Sequence, residues 1–186
     1  GGFYLIIVAV CACAAAYLLW DNYHGTISRV VIEVFHQEIA LLRHLTDRYD
    51  LALTTTSADA AAHYRAAIEC LQYGNVGAVA RLEQAVAADE GFALAHATLA
   101  QAYQQSGKMD DAKASIARAH ALAGDATRRE RQPIAFLAAV VGNAMPRALA
   151  IGREHLDDFP RDGFLLGQWR FLTTYSSEKD RQAQAY

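Results

Sequence analysis

Glu33 and His36 stand three residues apart as an E-x-x-H, a spacing that places both side chains on one face of a helix. Paired helices use that spacing to hold two iron ions, together with a second E-x-x-H and further carboxylates. The sequence contains no second copy, so the pair reads as the polar flank of an amphipathic helix. Cys11 and Cys13 point to different sides of a helix, and Cys70 has no basic neighbour in sequence to form a thiolate. Three cysteines cannot supply a four-thiolate centre or a disulfide framework. The histidines, His24, His36, His44, His63, His96, His120 and His155, include no i,i+4 pair that could grip a metal from one helical face. Gly-rich phosphate loops, G-x-S-x-G and H-E-x-x-H are absent from the sequence. Neither an enzyme nor a cofactor or metal site is expected. One charged cluster remains, Arg128, Arg129 and Arg131, where cations oppose a helix N-terminal dipole. Internal pairing is expected for it, with Glu130 and with acids such as Asp125, Asp157 or Asp158.

The elements that position these residues begin with an asymmetry. The chain has 186 residues, 53% hydrophobic and 20% charged, with a formal net charge of −3. That balance excludes disorder, and it argues against nucleic-acid binding, which needs clustered cations in excess. Residues 1–20 contain no charged side chain, so every Asp, Glu, Lys and Arg lies in 21–186.

Phe3 to Trp20 is an uncharged run of eighteen residues, roughly 27 Å as a helix against a hydrocarbon core of about 30 Å. Aromatic side chains bracket it, Tyr4 on one side and Tyr17 and Trp20 on the other, as in a membrane-spanning helix. A cleaved signal peptide or lipoprotein signal would end near Cys13 or Ala14 to Ala16, but the apolar run continues to Trp20. A single-pass anchor over residues 1–25 is therefore expected. Arg29, Arg43 and Arg48 follow it and no cation precedes it, which favours a cytoplasmic C-terminal side.

Residues 26–50 read as an amphipathic juxtamembrane helix running to about Asp47. Ile27, Val31, Phe35, Ile39 and Leu42 recur at helical spacing, widened by Val30, Val34, Leu41 and Leu45. Such a face must be buried on the following domain, on a partner's helices or on the membrane surface.

Residues 51–186 carry internal repetition. Leu99, Ala100, Tyr103, Gly107, Ala112, Ile116 and Ala119 fall at the consensus positions of a 34-residue tetratricopeptide repeat. Small Ala100 and Ala112 suit a close contact of two antiparallel helices, Tyr103 the groove between them, and Gly107 a left-handed helix end. Thirty-four residues earlier, Ala78, Leu82 and Ala85 match Ala112, Ile116 and Ala119, with Gly74 and Asn75 as the turn. A third copy has Phe136, Gly142 and Asn143, Ala148, and Phe159 with Pro160. Phe164 to Thr174 then resembles the first helix of a fourth. Thr127 and Glu130 form a capping box and Thr56 with Asp59 a looser one. Pro133 suggests either a short turn after Thr127 or a main helix starting near Gln132, and Pro146 suits a first turn. His96 occupies a position often held by a large aromatic, so packing is its expected role. The fold class is all-α: one transmembrane helix, an amphipathic helix, then helix pairs of an α-solenoid.

Asp47 to Ala60 (DRYDLALTTTSADA), Phe92 to Leu99 (FALAHATL), Thr127 to Gln132 (TRRERQ) and His155 to Asp162 (HLDDFPRD) together resemble the tetratricopeptide repeat protein 38 family, over residues 47 to about 175. The resemblance implies a curved helical array, without an established catalytic site, that binds something. This sequence departs from the family in its membrane span and amphipathic helix, and in stopping before the later repeats.

In stacked helix pairs the first helix of each pair lines the concave groove. Partner contacts are accordingly expected at Arg65, Glu69 and Gln72 in the first repeat, at Thr98, Gln101 and Gln105 in the second, and on the Ile27, Val31 and Phe35 face. Paired Lys and Asn for gripping a terminal carboxylate are missing from these positions. The expected role is a membrane-anchored interaction module whose partners are the bilayer and membrane-embedded proteins. The alternative is a transient assembly or quality-control factor.

Overall fold

In a computed structural model, residues 45–184 are described, with side chains to residue 175. The anchoring residues Tyr4, Tyr17 and Trp20, the Ile27, Val31 and Phe35 face, and the Glu33 and His36 pair lie outside the described residues.

Among the described residues the fold is all-α, with seven helices and no strand. They are α1 (Ala58–Tyr73), α2 (Ala78–Ala88), α3 (Ala93–Gln105), α4 (Met109–Leu122), α5 (Arg128–Val141), α6 (Met145–Asp158) and α7 (Gly163–Gln184). Connections of three to five residues force neighbouring helices antiparallel. The tightest packing is within α1–α2, α3–α4 and α5–α6. Helix α3 also packs along α5, and α1 meets α7 across the intervening elements. The odd-numbered helices therefore curl into an inner layer, and α2, α4 and α6 lie outside it.

Small side chains permit this close pairing. Ala100 and Ala112 are fully buried together, flanked by Tyr103 and Ile116. Leu82, Ala85, Ala119, Phe136 and Ala148 are likewise fully buried, as the repeated spacing predicted. Gly74 and Gly107 end α1 and α3 in the left-handed region, at φ 68° and 76°, where a Cβ is strained.

Helix starts follow local chemistry, with two adjustments to expectation. Ser57, rather than Thr56, caps α1 by accepting the Ala60 N–H at 3.1 Å. Helix α5 begins at Arg128 and runs through Pro133 without a preceding short turn. Its capping box forms as expected: Thr127 accepts the Glu130 N–H, and the Glu130 carboxylate accepts the Thr127 hydroxyl at 3.1 Å. Pro146 sits in the first turn of α6.

Residues 45–57 are not helical, so the helical pattern expected to run to Asp47 has ended by Leu45. Thr46 pairs with Ala52 in a single antiparallel bridge, and Asp50 adopts φ 58° in the bend between them. This segment crosses the inner layer as a strap. No described helix is long and apolar enough to cross a membrane.

Candidate functional site

The strap is held by side chains from three parts of the array, and it packs against a fourth. Arg65 of α1 donates to the Thr46 carbonyl at 2.9 Å, and Gln72 donates to the Tyr49 hydroxyl at 2.6 Å. Arg129 of α5 binds the Asp47 carboxylate and reaches the Ala52 carbonyl at 3.4 Å. The Thr54 N–H donates to Glu130 at 2.9 Å, and the Thr55 hydroxyl donates to Asp89, just before α3. The Tyr49 ring covers Gly163, the first residue of α7. A Cβ there would stand 2.4 Å from the ring, so only glycine admits this approach.

At the centre lies a buried charge cluster. Arg129 is shared between Asp47 and Asp162, with the Asp162 oxygen at 2.8 Å. The Asp162 carboxylate also accepts the Leu165 N–H at 3.1 Å, which caps α7. His155 is fully buried, with Nε2 3.2 Å from Asp162 and Nδ1 3.0 Å from the Gln132 amide oxygen. Burial pushes the Asp162 carboxyl upward, but the His155 hydrogen bond and the Arg129 charge outweigh it and hold it below the usual range. Glu130 moves the other way. Burial raises it despite hydrogen bonds from Thr54 and Thr127. Burial disfavours the Arg129 charge, and the two aspartates reverse that, so its guanidinium is held more firmly protonated than usual.

The arrangement is chemically a clamp. The carboxylate oxygens of Asp47, Glu130 and Asp162 are each occupied by a guanidinium, a backbone N–H, a hydroxyl or an imidazole. Among the described residues no three His, Cys, Asp or Glu side chains form a metal-holding group.

The expected internal pairing of the arginine cluster holds for two of its members. Arg128 pairs with exposed Asp158, and Arg129 with Asp47 and Asp162. His96 is half-buried and lies 3.1 Å from the Glu90 carbonyl; burial lowers its affinity for a proton.

The residues expected to line the groove divide into three groups. Arg65 and Gln72 face inward but hold the chain's own strap. Thr98 and Gln101 are buried: Thr98 donates to the Leu94 carbonyl, and Gln101 donates to Gln168 of α7 at 2.7 Å. The α7 helix meets Gln101 through Gln168. Glu69 and Gln105 are exposed. Gln72 and Gln105 also border a hollow of about 500 Å³, whose other walls include Tyr49, Tyr73, Phe164, Gln168 and Phe171. Gln168 and Phe171 were not among the expected contacts, and Phe164 was expected only as the start of a fourth repeat's first helix. Their recurrence on one face of the incomplete fourth repeat was the available signal.

The described residues thus define a class, an all-α array of stacked antiparallel helix pairs closed by an internal strap. Compared with known proteins, the chain matches no family model, no curated protein and no solved structure.

Proposed function

We propose that the chain is a non-catalytic, membrane-anchored protein-interaction module, an accessory or scaffold subunit of a larger membrane protein complex. The helix pairs are tetratricopeptide repeats related to the tetratricopeptide repeat protein 38 family, and the uncharged run from Phe3 to Trp20 is their anchor. The observation that supports this most is the open hollow in the inner layer. Its walls carry Phe171, 67% exposed, and Tyr73, 64% exposed with the Arg48 guanidinium over its ring. The apolar stripe of Ile27, Val31 and Phe35 gives the chain a second surface that requires cover. The repeat domain lies on the cytoplasmic side.

Purification of the full chain in mild detergent, with quantitative mass spectrometry, tests the assignment. A stoichiometric complex that persists through stringent washing is expected. A chain recovered alone, and monomeric without detergent once residues 1–25 are deleted, overturns it.

A further inference from the structure

His155 is fully buried where α5, α6 and the start of α7 meet. Each of its ring nitrogens meets an oxygen. Nε2 lies 3.2 Å from the Asp162 carboxylate, and Nδ1 lies 3.0 Å from the Gln132 amide oxygen. The Gln132 amide is oriented from its other side, where the NH₂ group donates to Glu154 at 3.4 Å and to Asp158 at 3.3 Å. A neutral imidazole donates from one nitrogen and accepts at the other. All four contacts therefore hold together only when the ring carries two protons.

The charges around the ring balance on the same condition. Asp162, before α7, is shared with Arg129 of α5, which also binds Asp47 of the strap. Glu154 and Asp158 of α6 lie beyond Gln132 at an exposed edge, where Arg128 pairs with Asp158. The Phe159 ring, 5.0 Å away, is uncharged, and Glu130 is bonded to Thr54 and Thr127 instead. Inside the array, two carboxylates thus face one guanidinium. Buried charges persist when they are paired, and an imidazolium makes the set neutral.

Losing one proton breaks this arrangement at a single place. The remaining N–H stays with Asp162, because a carboxylate is the stronger acceptor. The Nδ1 lone pair is then opposed to the Gln132 oxygen. Turning the amide by half a circle restores that bond, with its NH₂ group donating to Nδ1, but points its oxygen at two carboxylates. Glu154 and Asp158 are exposed, so both are free to swing into water. We infer that His155 and Gln132 form a proton-operated switch: the doubly protonated ring fixes the amide so that it ties α5 to Glu154 and Asp158, and loss of one proton turns the amide and frees both carboxylates. The state of a buried ring is thereby displayed at the outer edge of the third helix pair, whatever the array binds.

Nitrogen NMR of the isotopically labelled full chain in mild detergent tests it. The titration runs between about pH 5.5 and 8.5, the interval in which histidine side chains change charge. At the acid end His155 should show two protected ring N–H signals, and at the alkaline end only that of Nε2. The Gln132 side-chain NH₂ signal should move over the same interval. Gln132→Glu sets beside Nδ1 an acceptor that cannot turn into a donor, so it should hold the second ring proton to higher pH than wild type. His155→Gln should leave the Gln132 signal flat across the titration. A single ring N–H at every pH, two at every pH, or a Gln132 signal that ignores the titration of the ring overturns the inference. So does a Gln132→Glu chain that releases the second proton at the same pH as wild type. The wild-type titration decides by itself where His155→Gln fails to fold.

Discussion

Replacing Arg129 with Met removes one cation and strands two buried carboxylates. Asp47 and Asp162 are 8% and 2% exposed, so neither recovers its hydration by local relaxation. Deleting one partner of a buried ion pair costs about 3–5 kcal/mol. Other contacts moderate the loss here. Asp47 keeps the N–H groups of Tyr49 and Leu51, at 2.8 and 3.0 Å, and Asp162 keeps Leu165 and His155. Met also restores part of the packing of the arginine stem. The expected cost is therefore near the lower bound, about 3 kcal/mol, or a fall in melting temperature of roughly 6–12 °C for a body of this size. Urea unfolding of the full chain, followed by far-UV circular dichroism, measures it. The cost lies in the stranded charges. The triple variant Asp47→Asn, Arg129→Met, Asp162→Asn keeps the oxygen acceptors for the strap and the α7 cap, and should recover most of the lost stability. A cost below about 1 kcal/mol for Arg129→Met, or a triple variant no more stable than the single one, would refute this reasoning.

Three further outcomes follow from the same packing. Gly152→Ala places a Cβ 2.4 Å from Trp169 and 3.1 Å from Phe136; it should destabilise by roughly 1–3 kcal/mol despite better helix propensity, and shift the Trp169 emission. Arg128→Ala breaks a solvent-exposed pair with Asp158 and should cost less than about 1 kcal/mol, a loss that salt erases, whereas the Arg129 effect persists in high salt. Asp162 is held below its ordinary value, so its contribution is present above the unfolded carboxyl pKa of roughly 3.9 and is lost as pH falls through the folded value. Glu130, raised by burial, acts oppositely: its contribution is complete below its unfolded pKa and disappears as pH rises through the folded one. Urea midpoints measured between acid and neutral pH should steepen in Glu130→Gln and flatten in Asp162→Asn.

Local chemistry made much of the array readable from sequence. Small residues at Ala78, Ala100, Ala112 and Ala148 mark where helices touch, and Gly74 and Gly107 mark where they end, because each signal lies within one helix pair. The strap could not be read this way. Asp47 and Arg129 are 82 residues apart, and Arg129 and Asp162 are 33 apart; no periodicity connects them. Asp47 sits in the stretch whose apolar spacing suggests a helix, and that pattern takes no account of a turn closed by its own carboxylate. Thr98 and Gln101 were expected to face a groove because an open solenoid exposes the first helix of each pair. Here α7 meets Gln101 through Gln168, a tertiary effect invisible at the level of one repeat, and Thr98 is buried with its hydroxyl on the Leu94 carbonyl.

Stacked repeats commonly fold as one-dimensional chains, each unit stabilised by its neighbours and free to fray from the ends. The contact of Tyr49 with Gly163 joins residues before the first pair to residues after the third, and that of Asp47 with Arg129 joins them to the third pair itself. Such closure removes the free ends. Residues 45–175 should then unfold in one transition rather than pair by pair, and they should fold more slowly than local helix packing alone would allow, since the closing contacts bridge more than 80 residues of chain.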